Sequence, residues 1–556
     1  MVIEIKSCNS DSVGGSNFIQ NTRFYFSEYC GNTSIHGLKF LGEKGRTWIE
    51  KLFWLTLLST SLYFCISLIM KVHHKWKNSP VIVTFATEQT PIWDIPFPSV
   101  TICPEIKSQK DMYNFTEHFL KQRKGNLSEL EENKFKQMSL ICSELLDFST
   151  YSEDYVTNGS VVDLFREVSP PFEDILHHAM WLDLNLKGTG DDLQRIFSPV
   201  LTNEGICYSF NRLDANEVFT DVVRNYDNFN LIDQDPSLWT LEEGYDKNAE
   251  LDTFPRRTIL SGIKGGLDLI FVTKSKDIDF LCSDAVPGYK IILNHPADVP
   301  LANKQYFRVP LDQDVVAAVK PNMISASNDL KQYDPEERQC YFIGEKKLKF
   351  FKMYTQQNCL LECVTNFTEY ICECVGFYMP HDNSTPICGS NMIECLQHAE
   401  AHYLATEVTL KIQSAKKKPK KAHGKKKKKI LHVEECNCLP SCASIEFETE
   451  TSQSDWDWKS MLAAMNEREE QDGFLEDKHL SRLRVFFKDM QFITSERNQL
   501  YGSTDFMANC GGLLGLFTGF SFISLVEIVY YLTLRLVCNI KKFGRKYWSG
   551  ASELLE

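Results

Sequence analysis

The chain has 556 residues, a formal net charge of −14, 43% hydrophobic and 24% charged residues, and 19 cysteines. That length allows two to four domains. The acidic balance argues against a nucleic-acid binder and suits a surface that gathers small cations, and so many cysteines fit an oxidising compartment better than the cytosol.

The start, "MVIEIKSCNSD", lacks a basic stretch followed by an apolar core, so export would need an internal signal anchor. Leu52 to Met70 then gives nineteen uncharged residues, "LFWLTLLSTSLYFCISLIM". That is enough for a helix to cross roughly 30 Å of hydrocarbon. A buried soluble helix would show one polar face, whereas the Ser and Thr residues here are scattered.

Beyond it, "VIVTFAT" (Val81–Thr87), "FPSVTIC" (Phe97–Cys103), "GLDLIFVTK" and "GYKIILN" (Gly288–Asn294) carry strand character. "LSELEENKFKQMSLICSELL" (Leu127–Leu146) and the stretch after Asp457 show helical spacing with a charged face. Sequons stand at Asn114, Asn126, Asn158, Asn366 and Asn383, and fourteen of the cysteines lie in the same region. Their clustering predicts a lumenal or extracellular fold. A sixth sequon, at Asn32, is read as a chance match.

Ten cysteines fall between Cys340 and Cys442. Their C-x₃-C and C-x-C pairs differ from the C-x₂-C pairs usual in zinc sites, and a sequon sits among them, so no metal is expected. A nested disulfide ladder fits better, although spacing alone does not fix its connectivity. Cys359, His381 and Asp382 are close in sequence, but a bridged thiol cannot attack a substrate, so an enzyme is not expected. The run "KKKPKKAHGKKKKK" (Lys416–Lys429) reads as a solvated, self-repelling loop; the sharper alternative is a contact with anionic lipid or glycan.

From Phe506 to Leu534 the chain is apolar for twenty-nine residues, with Glu527 as the only charge. A straight crossing needs only about 20. Gly511, Gly515 and Gly519 form one helical stripe. Such a stripe serves either close helix packing or a bare backbone facing a pore. A carboxylate at membrane depth faces a partner or water, and in a symmetric oligomer it becomes a ring that attracts cations. The two features together predict an ion path and a break in the helix near Gly519. Arg535, Lys541, Lys542, Arg545 and Lys546 follow this span, which predicts a cytosolic C-terminus. Two crossings then put the N-terminus on the same side.

"FPSVTICPE", "DPEERQCYF", "FFKMYTQQNCLLECVTNFTEYICECVGFYMP", "CNCLPSCASIEFE" and "DFMANCGGLLGLFTGFSFISLVEIVYY" resemble segments of the degenerin/epithelial sodium channel family, in its insect pickpocket branch. The resemblance implies a membrane protein with two transmembrane helices and a large disulfide-rich α+β extracellular domain of finger, thumb and palm. Its parts would be a cytosolic segment 1–50, a first helix 51–71, an extracellular domain 72–505, a second helix 506–537 and a cytosolic tail 538–556. Palm strands would lie near 80–105 and 260–310, the finger at 106–200 and the thumb at 340–445.

The implied disulfides are Cys340–Cys442, Cys359–Cys438, Cys363–Cys436, Cys372–Cys395, Cys374–Cys388 and Cys103–Cys207. Cys142 and Cys282 are left over, and are paired only by elimination. Gly519, Phe520 and Ser521 match the selectivity filter. Ala508, Gly511, Gly512, Gly515 and Glu527 would line or gate the pore, and His36 and Gly37 match the family's His-Gly gating motif. The family analogy further implies a homo- or heterotrimer with sister subunits in the plasma membrane, sodium as the permeant ion, amiloride block, no cofactor and no nucleic-acid partner.

Three features depart from the family pattern. Phe520 is bulky where the family often has a small residue, neither tail carries a "PPxY" motif, and the lysine run lengthens the thumb. The extracellular ligand and any proton gating stay open. The competing reading is a two-span, disulfide-rich receptor or adhesion protein without a pore. An ATP-gated two-span channel would need basic nucleotide contacts in ordered strands, which the lysine run does not supply.

Overall fold

A computed structural model of the chain describes residues 14–78, 81–142, 154–186, 193, 195–227, 229, 237, 239–250, 253–282, 285–416, 436–465, 477–500 and 502–551. The lysine run beyond Lys416 lies outside the described residues, as do the last residues of the helix expected over Leu127–Leu146. The chain divides into two units: Met1–Ile82, Gln332–Arg338 and Gln499–Glu556 form the first, Val83–Lys331 and Gln339–Asn498 the second.

Helices α1 (Gly14–Asn32), α2 (Leu38–Gly42) and α3 (Trp48–Asn78) open the first unit. The second unit includes strand β1 (Ser99–Pro104) and helices α4 (Glu129–Met138) and α5 (Ser160–Val168), preceded by short strands at Val81–Phe85 and Thr90–Pro91. Strands β2 (Leu176–Trp181), β3 (Phe197–Thr202), β4 (Gly205–Phe210), β5 (Leu267–Lys274), β6 (Gly288–Asn294), β7 (Phe307–Pro310) and β8 (Gln313–Ala326) follow. Helices α6 (Gln356–Cys372) and α7 (Ile393–Lys416) come next, then strands β9 (Ser444–Asp455), β10 (Lys478–Phe487) and β11 (Ser495–Gln499). The chain returns to the first unit through α8 (Ser503–Thr518), α9 (Phe522–Tyr530), a π-helical turn at Tyr531–Arg535, and α10 (Leu536–Phe543).

Two sheets form the centre of the second unit. One runs β7–β6–β1–β4–β3, and the other includes the run β11–β8–β10–β5–β2 with β9 on β8. The strands alternate as half-buried strands must. In β8, Val315, Ala317 and Val319 are buried; in β10, Leu483, Val485 and Phe487 are. They meet Val100, Ile102, Phe210 and Ile291 of the other sheet in one core. The opposite face of the larger sheet carries ions instead. Arg482 binds Asp268 and Arg484 binds Asp314, each through Nε and Nη2. Such bidentate pairs fix register as well as adding energy.

A second core gathers Phe115, Phe135, Met138, Val162, Phe165 and Val168 from around α4 and α5. Ser128 and Glu131 form a capping box at the start of α4, each side chain accepting from the other's backbone N–H. Where the smaller sheet ends, the buried Glu105, Lys107 and Lys290 interlock with the half-buried Glu204 and Arg308. Lys107 Nζ lies 3.0 Å from Glu204, Lys290 Nζ lies 2.6 Å from its other oxygen, and Arg308 lies 2.7 Å from Glu105.

The second unit holds seven disulfides. Cys103–Cys207 and Cys142–Cys282 pin the smaller sheet and the α4 region. Cys359 and Cys363, one turn apart on α6, bond Cys438 and Cys436. Cys372–Cys395 joins the end of α6 to α7, Cys374–Cys388 closes the loop between them, and Cys340–Cys442 shuts the base. The sulfurs of Cys359, Cys363 and Cys438 lie within 4.8 Å of one another. They belong to two disulfides, so they are not thiolate ligands for zinc. Asn126, Asn158 and Asn383 are exposed, and Asn114 and Asn366 are half-buried.

Candidate functional site

Among the described residues, two helices are long and apolar enough to cross a membrane, Trp48–Lys77 with 30 residues and Phe522–Phe543 with 22. The longer apolar stretch that began at Phe506 is divided between α8 and α9, and the division falls on Gly519, Phe520 and Ser521. The residue types explain the break. Gly519 has φ +68°, the left-handed conformation in which helices end, and its N–H bonds the Gly515 carbonyl at 2.9 Å. Phe520 N–H closes the cap on Leu514 O at 3.3 Å. Ser521 then starts α9: its Oγ accepts from Ser524 N–H at 3.3 Å, while Ser524 Oγ accepts from Ser521 N–H at 3.0 Å. A glycine that stops one helix and a serine that starts the next leave the Gly519 and Phe520 carbonyls at the interruption, outside the regular helical ladder.

The loop between α1 and α2 is built against this break. His36 N–H donates to Thr518 O at 2.9 Å. A Cβ added at Gly519 would stand 2.7 Å from His36 Cγ and Nδ1. Gly37 turns the chain into α2 with φ +88°. Ser34 supplies a second tie: its N–H and its Oγ each donate to Glu527 Oε2 at 3.1 Å, and its Oγ lies 2.7 Å from Ser524 Oγ. Ser524 is fully buried beneath this contact. The Glu527 carboxylate is therefore half-buried and engaged by the loop of its own chain.

Helix α8 uses one side for α3 and leaves the other open. Ser61 Oγ of α3 donates to Phe517 O at 2.6 Å, and Trp76 stacks on Phe506 with ring centres 4.8 Å apart. Ala508, Gly511 and Gly512 are exposed. A methyl group at Gly511 or Gly512 would meet no atom within 4 Å, and at Gly515 it would only touch Phe520 O at 4.0 Å. The glycine stripe therefore does not pack against this chain's own helices.

The π-helical turn after α9 lies against α1. Tyr25 Oη donates to Tyr531 O at 2.5 Å, Arg535 pairs with Glu28 at 2.5 Å, and the Tyr29 and Tyr531 rings meet edge to face at 5.3 Å. Tyr25 also packs on Trp548, and Ser549 bonds Asn21. Sequence reasoning missed these contacts, although the recurring Tyr25, Glu28 and Tyr29 on one face of α1 are a legible signal.

A family model described as amiloride-sensitive sodium channel matches residues 29–531. The chain is 25% identical over 534 residues to Pickpocket protein 28 of Drosophila melanogaster, covering 93% of this chain and 80% of that protein. It is 23% identical over 535 residues to Sodium channel protein Nach of the same organism, covering 94% and 90%. A match of 24% over 189 residues to the human Bile acid-sensitive ion channel covers 34% and 33%. With two membrane-length helices, a disulfide-stapled mixed α/β unit and a family match over most of its length, the chain belongs to the amiloride-sensitive sodium channel family.

Proposed function

We propose that the chain is a subunit of a trimeric, sodium-preferring, amiloride-sensitive cation channel in the plasma membrane, assembled from identical or sister subunits. Both termini are cytosolic in this reading, and the second unit faces the exterior and is where the gating stimulus acts. The observation that carries it is the interruption at Gly519, Phe520 and Ser521, next to the face of Ala508, Gly511 and Gly512 that the chain's own helices leave uncovered. Irregular backbone at membrane depth is tolerated only where it is buried or lines water. Three such interruptions around an axis would offer carbonyls to a partly dehydrated cation, with three Glu527 carboxylates attracting it. The seven disulfides and five sequons of the second unit support an exterior location. Placing Phe at 508 tests the reading: Ala508→Phe at the cell surface is expected to give a constitutive inward sodium current that amiloride blocks. A surface-expressed assembly that passes no current, alone or with related subunits, overturns it.

A further inference from the structure

A cavity of about 380 Å³ opens in the second unit between the end of β6, the first turn of α6 and the start of β9. That size suits a small organic molecule. His295 lines it and is only 6% exposed. Its Nδ1 accepts the Ala297 N–H at 3.1 Å. An acceptor nitrogen carries no proton, so in the neutral ring the proton sits on Nε2. Burial drives the imidazole down to about 4, which keeps it neutral at physiological pH. Nε2–H is thus a buried donor, and it has no partner among the described residues.

Two acceptors in the same wall, Asp298 Oδ1 and Asn294 Oδ1, also have none. Buried polar atoms are normally paired, so three together ask for a ligand. Its chemistry follows from theirs. The charged side chains at the cavity are Asp298, Glu446 and Glu448 against Lys304, an excess of negative charge. A metal ion is disfavoured because a protonated Nε2 cannot ligate one. An anion is disfavoured by the carboxylates. Leu301, Leu360 and Phe447 supply an apolar wall.

We propose that this cavity binds a small organic cation: a primary ammonium on an apolar body, with a hydroxyl or carbonyl beside it. The ammonium donates to Asp298 and Asn294, and the neighbouring oxygen accepts from His295 Nε2–H. Burial raises the Asp298 carboxyl to about 6, the Thr355 hydrogen bond opposing it; Glu446 adds to the rise, and Lys304 and Arg212 work against it. Occupation by a cation therefore weakens as pH falls below that value.

Isothermal titration of the purified full-length protein tests this with 2-amino-1-phenylethanol as the probe and 2-phenylethanol as its neutral counterpart. Saturable binding of the amine alone is expected. Asp298→Asn is expected to weaken it about tenfold or more, the loss of a charge-assisted hydrogen bond. Leu360→Trp fills the cavity, leaves every charge in place and is expected to abolish binding, so the test survives if Asp298→Asn does not fold. Absence of saturable binding, equal binding of the alcohol, or undiminished binding in both variants overturns the proposal. The readout involves no current and stands apart from the question of conduction.

Discussion

At position 519 two constraints coincide. The backbone is left-handed, which costs a residue with a Cβ about 1–2 kcal/mol. The space a Cβ would take is already held by the His36 ring at 2.7 Å. Gly519→Ala is therefore expected to abolish current while leaving surface delivery intact, measured by whole-cell recording alongside surface labelling. Ser521→Ala removes only a helix cap, worth about 1 kcal/mol, and is expected to reduce current less. The ties from Ser34 to Glu527 make a sharper prediction. Each of Ser34→Ala and Glu527→Gln loosens the same contact, so the double variant is expected to change open probability no more than the worse single one. Additive effects would show that Glu527 acts without the loop.

Among the elements, the paired rungs of α6 behave as a unit. Cys359–Cys438 and Cys363–Cys436 close loops with sequence separations of 79 and 73, which are nearly the same loop. Losing a native disulfide typically costs about 2–5 kcal/mol, much of it loop-closure entropy. With the other rung intact the loop stays closed. Replacing one pair by serines is thus expected to cost less than about 2 kcal/mol, and replacing both to cost more than twice that. Thermal unfolding followed by circular dichroism separates these cases. Much at this scale was legible in sequence: the apolar run over Leu52–Met70, the strands at Phe97–Cys103 and Gly288–Asn294, and a break near Gly519 all announce themselves by local pattern. The partners of helix α1 did not: its aromatic face shows as a local pattern, but Tyr531 and Trp548 satisfy it from more than five hundred residues away, and nothing local identifies them. The π-helical turn was equally silent, since a single extra residue in a helical turn leaves the hydrophobic pattern almost unchanged.

At the scale of the whole molecule, charges that look like surface residues in sequence prove to be buried. The neighbours Glu105 and Lys107, together with Glu204 and Lys290, come from three separate segments, and only the fold brings them together. Burial alone would raise the Glu204 carboxyl, but Lys107 and Lys290 outweigh it and hold it at about 2. An acid held below its ordinary ~4.3 stabilises the fold at higher pH, and the benefit fades as pH falls from about 4.5 towards 2. Glu105, raised by burial, works in the opposite sense. Glu204→Gln leaves two lysines under-compensated and is expected to cost about 3–5 kcal/mol at neutral pH. The same variant should lose part of the wild-type pH dependence in the acid range, read by chemical denaturation at stepped pH. The cavity beside His295 was invisible in sequence for the same reason: its walls are assembled from the ends of β6, α6 and β9.

The grip of α1 on the turn after α9 has one more consequence. Tyr25, Glu28 and Asn21 hold Tyr531, Arg535 and Ser549 at three separate points. In the proposed channel, opening and closing would therefore carry α1 and the segment from Tyr531 to Ser549 together, like a clasp. Fluorophores on the exposed Gly31 and Lys542 would keep a constant separation as current switches on and off. A changing transfer efficiency would mean that the clasp itself is the moving part.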